Sequence, residues 1–241
     1  MKDYQGFKNN GNWYKGNLHS HTTVSDGKMT PEQSVEVYKE HGYNFLALSE
    51  HDIYTDYRKQ YNTDNFIMIP AIEASAILYQ EEGSSKRLEI HHLHGILGTS
   101  EMQKNAKAPL FTHMEHVPPQ KHYGTWRGRE ISQEIADMLR DRGCVVTYNH
   151  PIWSRVTEEE FIYTEGVQAL EIFNYNTVLE SNTGYDVTYW DRMLRMGKKI
   201  NGFASDDNHN EGLFEDSCGG WICVQAPELT HDAIIQNFLD G

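Results

Sequence analysis

Apolar runs that end in histidine or carboxylate recur along this chain, separated by segments of helical periodicity. "FLALSEHD" is a continuous apolar stretch closing in polar residues, the pattern of a strand buried on both faces. "FIMIPAIEAS" repeats the scheme, and "LEIHHLHGILG", "CVVTYNHP", "VQALEIFN", "INGFASDDNH" and "WICVQA" are further strand candidates. Between them lie helices with identifiable ends. "TPEQSVEVYKEHG" has Thr30 as N-cap, Pro31 at the first helical position, Gln33 closing a capping box and Gly42 as stop. "REISQEIADMLRDRG" places Ile131, Ile135, Met138 and Leu139 on one face. "GYDVTYWDRMLRMGKK" and "THDAIIQNFLDG" read as helices too. Strand-then-helix repetition predicts a parallel sheet with helices outside, and seven or so such units predict a barrel. The less regular stretch from 100 to 129 reads as a loop over one face, a candidate lid.

In an α/β barrel the C-terminal strand ends converge on one mouth, where active sites sit. The strand ends here carry His19 and His21; His51 and Asp52; Glu73; His91, His92 and His94; His150; and Asp206, Asp207 and His209. His19 and His21 belong to "LHSHTTVSDG", which adds Asp26. Residues two apart in a strand share a face, so the two imidazoles stand side by side. Such a pair alone is as easily structural as functional; six strand ends of this kind are not explained by solvated surface. Convergence therefore predicts a polynuclear metal site. Imidazoles with carboxylates and without thiolates suit Zn, Mn, Fe, Co or Ni, whereas calcium takes oxygens almost alone. Nine or so ligands exceed the need of one ion, and Glu73 has two oxygens with which to bridge a pair.

The segments "HSHTTVSDG", "SEHD", "PAIEAS", "NHP" and "SDDNH", in this order, resemble the motifs of the PHP (polymerase and histidinol phosphatase) superfamily, over about residues 17 to 210. The resemblance implies a distorted seven-stranded β/α barrel and a pocket holding two or three divalent transition-metal ions, with Zn, Mn or Fe as candidates. Carried onto this chain, it gives His19, His21, Glu73 and Asp207 to a first ion. Glu73, His150 and one histidine of "HHLH" go to a second, and Asp26, His51 and His209 to a third. Two positions depart from the pattern or leave it open. The second motif reads S-E-H where T-D-H is commoner. In "HHLH", strand alternation puts His92 and His94 on one face and His91 on the other. His92, three residues before Gly95, matches the family's H-x-x-G spacing, and His94 is the alternative. Asp207 rather than Asp206 gives the D-x-H spacing to His209.

The implied activity is hydrolysis of a phosphate ester in a small metabolite or nucleotide by a metal-bound hydroxide, since a bound ion brings the pKa of water near 7. Arg127, Arg129 and Arg155 are candidate substrate grips, with His113, His116 and His122 as secondary candidates. Two other readings compete. Amidohydrolase-type barrels, which cleave C–N or C–O bonds, also open with H-x-H but usually carry a metal-bridging lysine, and none stands at these strand ends. A non-catalytic PHP module is expected to have eroded ligands, which this chain does not.

Composition bounds the partners. The chain has 241 residues, suiting a single PHP-like hydrolase domain over 1–241, and a net charge of −14. That charge argues against a broad nucleic-acid surface and against anionic membrane, while bound cations leave a small anionic substrate possible. Three cysteines with no C-x-x-C, and a polar opening segment without a leader-like run, lead to the expectation of a cytoplasmic setting. An exported precursor with its signal removed is the alternative, and the oligomeric state is left open.

Overall fold

The structure is a computed structural model that describes residues 11–212 and 215–241. The first ten residues of the polar opening segment therefore lie outside the described residues. The chain runs β1 (Asn12–Asn17), α1 (Pro31–Glu40), β2 (Phe45–Leu46), β3 (Ile53–Tyr54), α2 (Arg58–Tyr61), β4 (Ile67–Met68), β5 (Ala71–Tyr79) and β6 (Arg87–Leu97). It continues through α3 (Ser100–Lys104), β7 (Glu115–His116), β8 (Gln120–Tyr123), α4 (Gly128–Asp141), β9 (Cys144–Tyr148), α5 (Pro151–Ser154) and α6 (Glu158–Phe161). The last elements are β10 (Val167–Asn174), α7 (Tyr175–Ser181), α8 (Val187–Arg195), β11 (Asn201–Ser205), β12 (Ile222–Ala226) and α9 (His231–Asp240).

The fold is mixed α/β and rich in parallel pairing. One sheet has the order β12-β1-β2-β4, a second β11-β10-β9-β6-β5-β8, and β3 pairs β7 separately. β6 runs antiparallel to both β5 and β9, which strand-then-helix reading does not anticipate. The cause is local: β5 and β6 are joined by a short turn through Gly83 (φ +82°), with no helix to carry the chain back. The two sheets approach each other at two seams. At one, a bridge joins His51 to Glu73; at the other, Ser20 pairs with Asn208, and the Asp207 amide donates to the His19 carbonyl at 2.9 Å.

Alternation along the strands sorts side chains into two kinds of core. Phe45, Ile67, Ile69, Ala71, Ile96, Val145, Ala169 and Phe203 share one buried cluster. Their neighbours Ile72, Leu93, Val146 and Leu170 face the other way, against Ile131, Ile135 and Leu139 of α4. Leu46 and Met68 likewise pack under Val35 and Tyr38 of α1. The capping box at Thr30 and Gln33 forms, and Gly42 follows the helix at φ +74°, a conformation cheap only for glycine. A Thr cap of this kind contributes about 1 kcal/mol.

Residues 100–129 do not form a lid. β8 pairs with the edge of β5, and Trp126 stacks on His91 at 5.0 Å. None of this segment lines the cavity described below. Among the described residues, no helix is long and apolar enough to cross a membrane.

Candidate metal centre

Glu73 stands at the middle of a buried cluster of imidazoles and carboxylates. It lies on β5, on the same face as Ala71 and opposite His94 of β6. His19 Nε2 is 3.1 Å and His150 Nε2 3.4 Å from Glu73 Oε1, with His92 Nδ1 at 3.5 Å. His51 Nδ1 is 2.9 Å and His21 Nε2 3.4 Å from its other oxygen. Asp207 Oδ1 lies 3.0 Å from both His19 Nε2 and His21 Nε2. Asp26 closes the outer side, 3.6 Å from His51 Nε2 and 3.4 Å from His209 Nε2.

Four overlapping groups have ligand atoms within 4.8 Å of one another: His19, His21, Glu73 and Asp207; His51, Glu73 and His92; His21, Asp26, His51 and His209; and His19, His150 and Glu171. Several of the atoms that meet there are buried and make no hydrogen bond, among them His19 Nε2, both ring nitrogens of His21, His51 Nδ1, Glu73 Oε2 and Asp207 Oδ1. Buried polar atoms are normally hydrogen-bonded. Lone pairs left facing one another in this way fit divalent cations between them, and the nitrogen and oxygen donor set suits borderline or hard transition-metal ions. Without cations, the histidines serve as the positive charge. Burial pushes His21 down, but the Asp207 and Glu73 carboxylates facing its Nε2 raise it to about 10. The same carboxylates, with Glu171, raise His19. Burial would raise Glu73 and Asp207 in turn, yet the facing imidazoles hold both well below the usual carboxylate range.

The backbone is bent to deliver these groups. His150 and Asp207 adopt positive φ, 26° and 54°, where non-glycine residues are strained. The His150 amide is held by Glu171 Oε2 at 2.9 Å and the Asp207 amide by His19 O at 2.9 Å. Gly27 turns the chain at Asp26 because of space rather than φ: a Cβ there would lie 2.5 Å from the His21 carbonyl oxygen.

The residues expected from the sequence divide clearly. His19, His21, Asp26, His51, Glu73, His92, His150, Asp207 and His209 are brought together. His94 shares the face of His92 but enters none of the four groups. It sits beneath His19, ring centroids 4.2 Å apart, with Nδ1 3.3 Å from Thr147 Oγ1, one step deeper in the strand. His91 turns to the opposite face, against Trp126 and the Tyr148 hydroxyl. Asp206 faces away from the cluster. It accepts from Tyr38 Oη at 2.6 Å and from the amides of Cys218, Gly219 and Gly220, and so anchors the loop after β11.

The expected arginines stand apart from the cavity beside this cluster. Arg127 and Arg129 lie at the start of α4, Arg129 over the Tyr163 ring, and Arg155 donates to the Arg87 carbonyl; none lines the cavity. His113, His116 and His122 are absent from it as well. The one arginine that lines this cavity of about 280 Å³ is Arg87, beside Trp153, Glu180, Asp26, His51, His92 and His209. By simple alternation Arg87 would share the face of His91. A register shift opposite Leu78 and Tyr79 pairs Arg87 with Tyr79, on the face that carries Ser75 and His92. A bulge re-aims the side chain, and a sequence does not display one.

Glu171 was also not foreseen. It accepts from Asn174 at 3.0 Å and from Ser205 Oγ, and bonds His19 Nδ1 at 2.8 Å. Its signal was available: an acid inside the apolar strand "VQALEIFN" is expensive unless it is paired. Asn149 and Asn174 orient Glu73 Oε1 and Asp207 Oδ2, at 2.7 and 3.0 Å.

No family model matches the chain, and no curated protein matches it in sequence. Solved structures do match. A two-domain protein of Bacteroides vulgatus containing a predicted PHP-like metal-dependent phosphoesterase superposes with a TM-score of 0.55 at 16% identity, over 95% of this chain and 63% of that one. This chain thus spans under two thirds of that protein's length. A protein of Bifidobacterium adolescentis, provisionally named a metal-dependent phosphoesterase, matches at 0.53 and 14%, over 93% of this chain and 95% of that one. An amidohydrolase of Chromobacterium violaceum, with bound sulfate and no metal, matches at 0.50 and 14%, over 82% and 88%. The chain shares the fold of these three structures, two of which carry the PHP-like or phosphoesterase description that the sequence motifs resemble.

Proposed function

We propose that this chain, folded as PHP-like metal-dependent phosphoesterases are, hydrolyses a phosphate ester of a small metabolite or nucleotide with two or three divalent ions in the cluster around Glu73. The observation that carries the reading is that cluster: nine side chains from distant parts of the chain, five of which, His19, His21, His51, Glu73 and Asp207, bring buried nitrogen or oxygen atoms with no hydrogen-bond partner. Zn, Mn or Fe fits the donors.

Ions held by these residues would supply an activated water and would neutralise phosphate charge. The rest is the work of this chain's own groups. Glu73, reaching donors with both oxygens, ties the inner ligands to His51 and His92. Glu171 bonds His19 Nδ1, which leaves Nε2 to face the cluster. Arg87, which lines the cavity, would grip phosphate oxygens, a role suited to its planar, always charged guanidinium. Trp153, held through Nε1 by Glu180 at 2.7 Å, forms the side wall next to His92 and His150. The cavity admits a small molecule, and the acidic chain as a whole does not favour a nucleic-acid polymer.

We also read the two sheets as a distorted seven-stranded barrel in a single domain. If β4 and β5 are one stave bent at Pro70, the staves run β1, β2, β4–β5, β6, β9, β10 and β11, and the His19–Asp207 contact returns to β1.

The test is a panel of phosphomonoesters, phosphodiesters and amides offered to protein reconstituted with Mn, Zn or Fe. Turnover of a phosphate ester that falls at least about a hundredfold in His21→Ala and Asp207→Asn supports the reading. The likeness to the amidohydrolase carries a second reading, hydrolysis of a C–N or C–O bond. Turnover of an amide without any phosphate ester would establish it in place of the first.

A further inference from the structure

We infer that Glu50 is a positioning residue for the outermost metal group, acting by clamping the turn that delivers Asp26. The inference rests on the metal-dependent reading above. Glu50 immediately precedes His51 and is wholly buried. Its carboxylate belongs to none of the four ligand groups and is taken up by Thr22 and Ser25. Oε2 accepts from the Thr22 amide at 3.0 Å, the Ser25 amide at 3.2 Å and Ser25 Oγ at 2.6 Å, and Oε1 from Thr22 Oγ1 at 2.5 Å. All four donors are neutral and belong to two residues of one turn. Among the described residues no basic side chain pairs with Glu50 within 4 Å. A buried carboxylate without a cation is costly, and four hydrogen bonds to one short segment are what compensate it.

That segment is the turn between His21 and Asp26. The Ser25 and Gly27 amides fold back onto the Thr22 carbonyl at 3.1 and 2.9 Å, and the Lys28 amide reaches the His209 carbonyl at 2.8 Å. Asp26 itself is half exposed, and among the described residues its carboxylate meets Ser25 Oγ at 3.3 Å, His51 and His209, with His21 next to them. Its aim is therefore set by the turn, and the turn is held from the inside by Glu50. Glu50 is fixed in its own right, because its carbonyl accepts from the Glu73 amide at 3.1 Å. One residue thus ties the bridging acid, His51 and the Asp26 turn into a single unit. The longer acid in the S-E-H motif fits this task, since it has a span of donors to reach.

The experiment counts ions rather than turnover. Metal-free protein is titrated with Mn²⁺ by calorimetry, with elemental analysis for stoichiometry and thermal unfolding to confirm the fold. Glu50→Ala should weaken the outermost ion by about tenfold or more, the range for groups that orient metal ligands, while the ions on His19, Glu73 and Asp207 stay bound. Glu50→Gln keeps an oxygen for the two amides and should bind nearly as the unaltered protein does. Ser25→Ala removes one donor on a part-exposed turn and covers the case of an unfolded Glu50→Ala variant; it should weaken the same ion. Unchanged affinity in folded Glu50→Ala, or in Ser25→Ala, overturns the inference. Loss in Glu50→Gln as large as in Glu50→Ala also overturns it, because charge and not position is then at work. If the unaltered protein binds no Mn²⁺, Zn²⁺ or Fe²⁺, the metal-dependent reading itself has failed, which is a separate result.

Discussion

Glu171 and His19, 152 positions apart, meet through a carboxylate oxygen and Nδ1 at 2.8 Å with both side chains fully buried. With a cation in the cluster, this contact would keep the His19 proton on Nδ1 and turn the Nε2 lone pair towards Asp207 and Glu73. Glu171→Gln preserves shape but offers a weaker acceptor to Nδ1–H. Metal affinity measured by calorimetry should fall by 10- to 100-fold, roughly the cost of removing such a support. An unchanged affinity would show that the Asp207 and Glu73 contacts orient His19 unaided.

Much of the centre was legible because metal ligands are chemically uncommon at strand ends. His19, His21, His51, Glu73, His150, Asp207 and His209 are each a polar residue where an apolar run stops, and the choice of Asp207 over Asp206 came from the D-x-H motif of the family resemblance. What escaped depends on backbone events that leave no compositional trace. Arg87 reaches the cavity through a bulge, and one extra residue in a strand inverts every face before it. The antiparallel course of β6 follows from a turn that reads like any other loop. The stretch from 100 to 129 was irregular in sequence because its pieces serve separate neighbours, β8 at a sheet edge and Trp126 against His91. Glu171 could be marked as a paired acid by its place inside the apolar run "VQALEIFN", but its partner His19 lies across the fold, and Glu50 closes an apolar run beside His51 with nothing in the sequence to tell a buried support from a ligand.

His91 predicts a pH dependence of stability. Burial pushes it down to about 4 from an ordinary 6.5, with the Tyr148 hydroxyl on Nδ1 and Trp126 stacked on the ring. Because the folded value is depressed, the unfolded chain binds the extra proton first as pH falls. Stability from this group is present above pH 6.5 and is lost progressively between 6.5 and 4, by about 3 kcal/mol in all. Other histidines titrate over the same range, so the measurement is a difference. Denaturant midpoints of the chelated protein and of His91→Gln should converge as pH is lowered from 7 to 4.5. Parallel curves would mean that His91 is hydrated in the native state.

The two histidines sharing a face of β6 should separate in a metal count. His92 Nδ1 lies 3.5 Å from Glu73 and within a ligand group, whereas His94 packs under His19 and beside Phe203. His92→Ala should lose about one ion per chain and keep its fold. His94→Ala should keep the ions and lose stability by about 2 kcal/mol, the scale of a buried ring replaced by a cavity. His91→Ala should also keep all ions. Loss of an ion in His94→Ala alone would place the ligand one step deeper in the strand.

Arg87 should act on substrate binding more than on turnover. It is the one permanently cationic side chain among those lining the cavity, which also carries Asp26, Asp207, Glu180, Glu211 and Asp216. Those acids repel a phosphate until cations offset them, so the Arg87 guanidinium offers a permanent positive charge that no other lining residue offers. A charge-assisted hydrogen bond of this kind is worth about 1.5–3 kcal/mol. Arg87→Ala should therefore raise KM for the phosphate ester by about tenfold to a hundredfold, with a smaller change in kcat if the contact is made equally in ground and transition states. Arg87→Lys should recover part of the loss, because an ammonium keeps the charge but not the planar fork. Arg127→Ala, Arg129→Ala and Arg155→Ala should leave KM unaltered, since those side chains stand outside the cavity. Steady-state kinetics on the four alanine variants decides the matter: a KM effect in Arg155→Ala comparable to that in Arg87→Ala would mean that substrate reaches beyond the cavity rim.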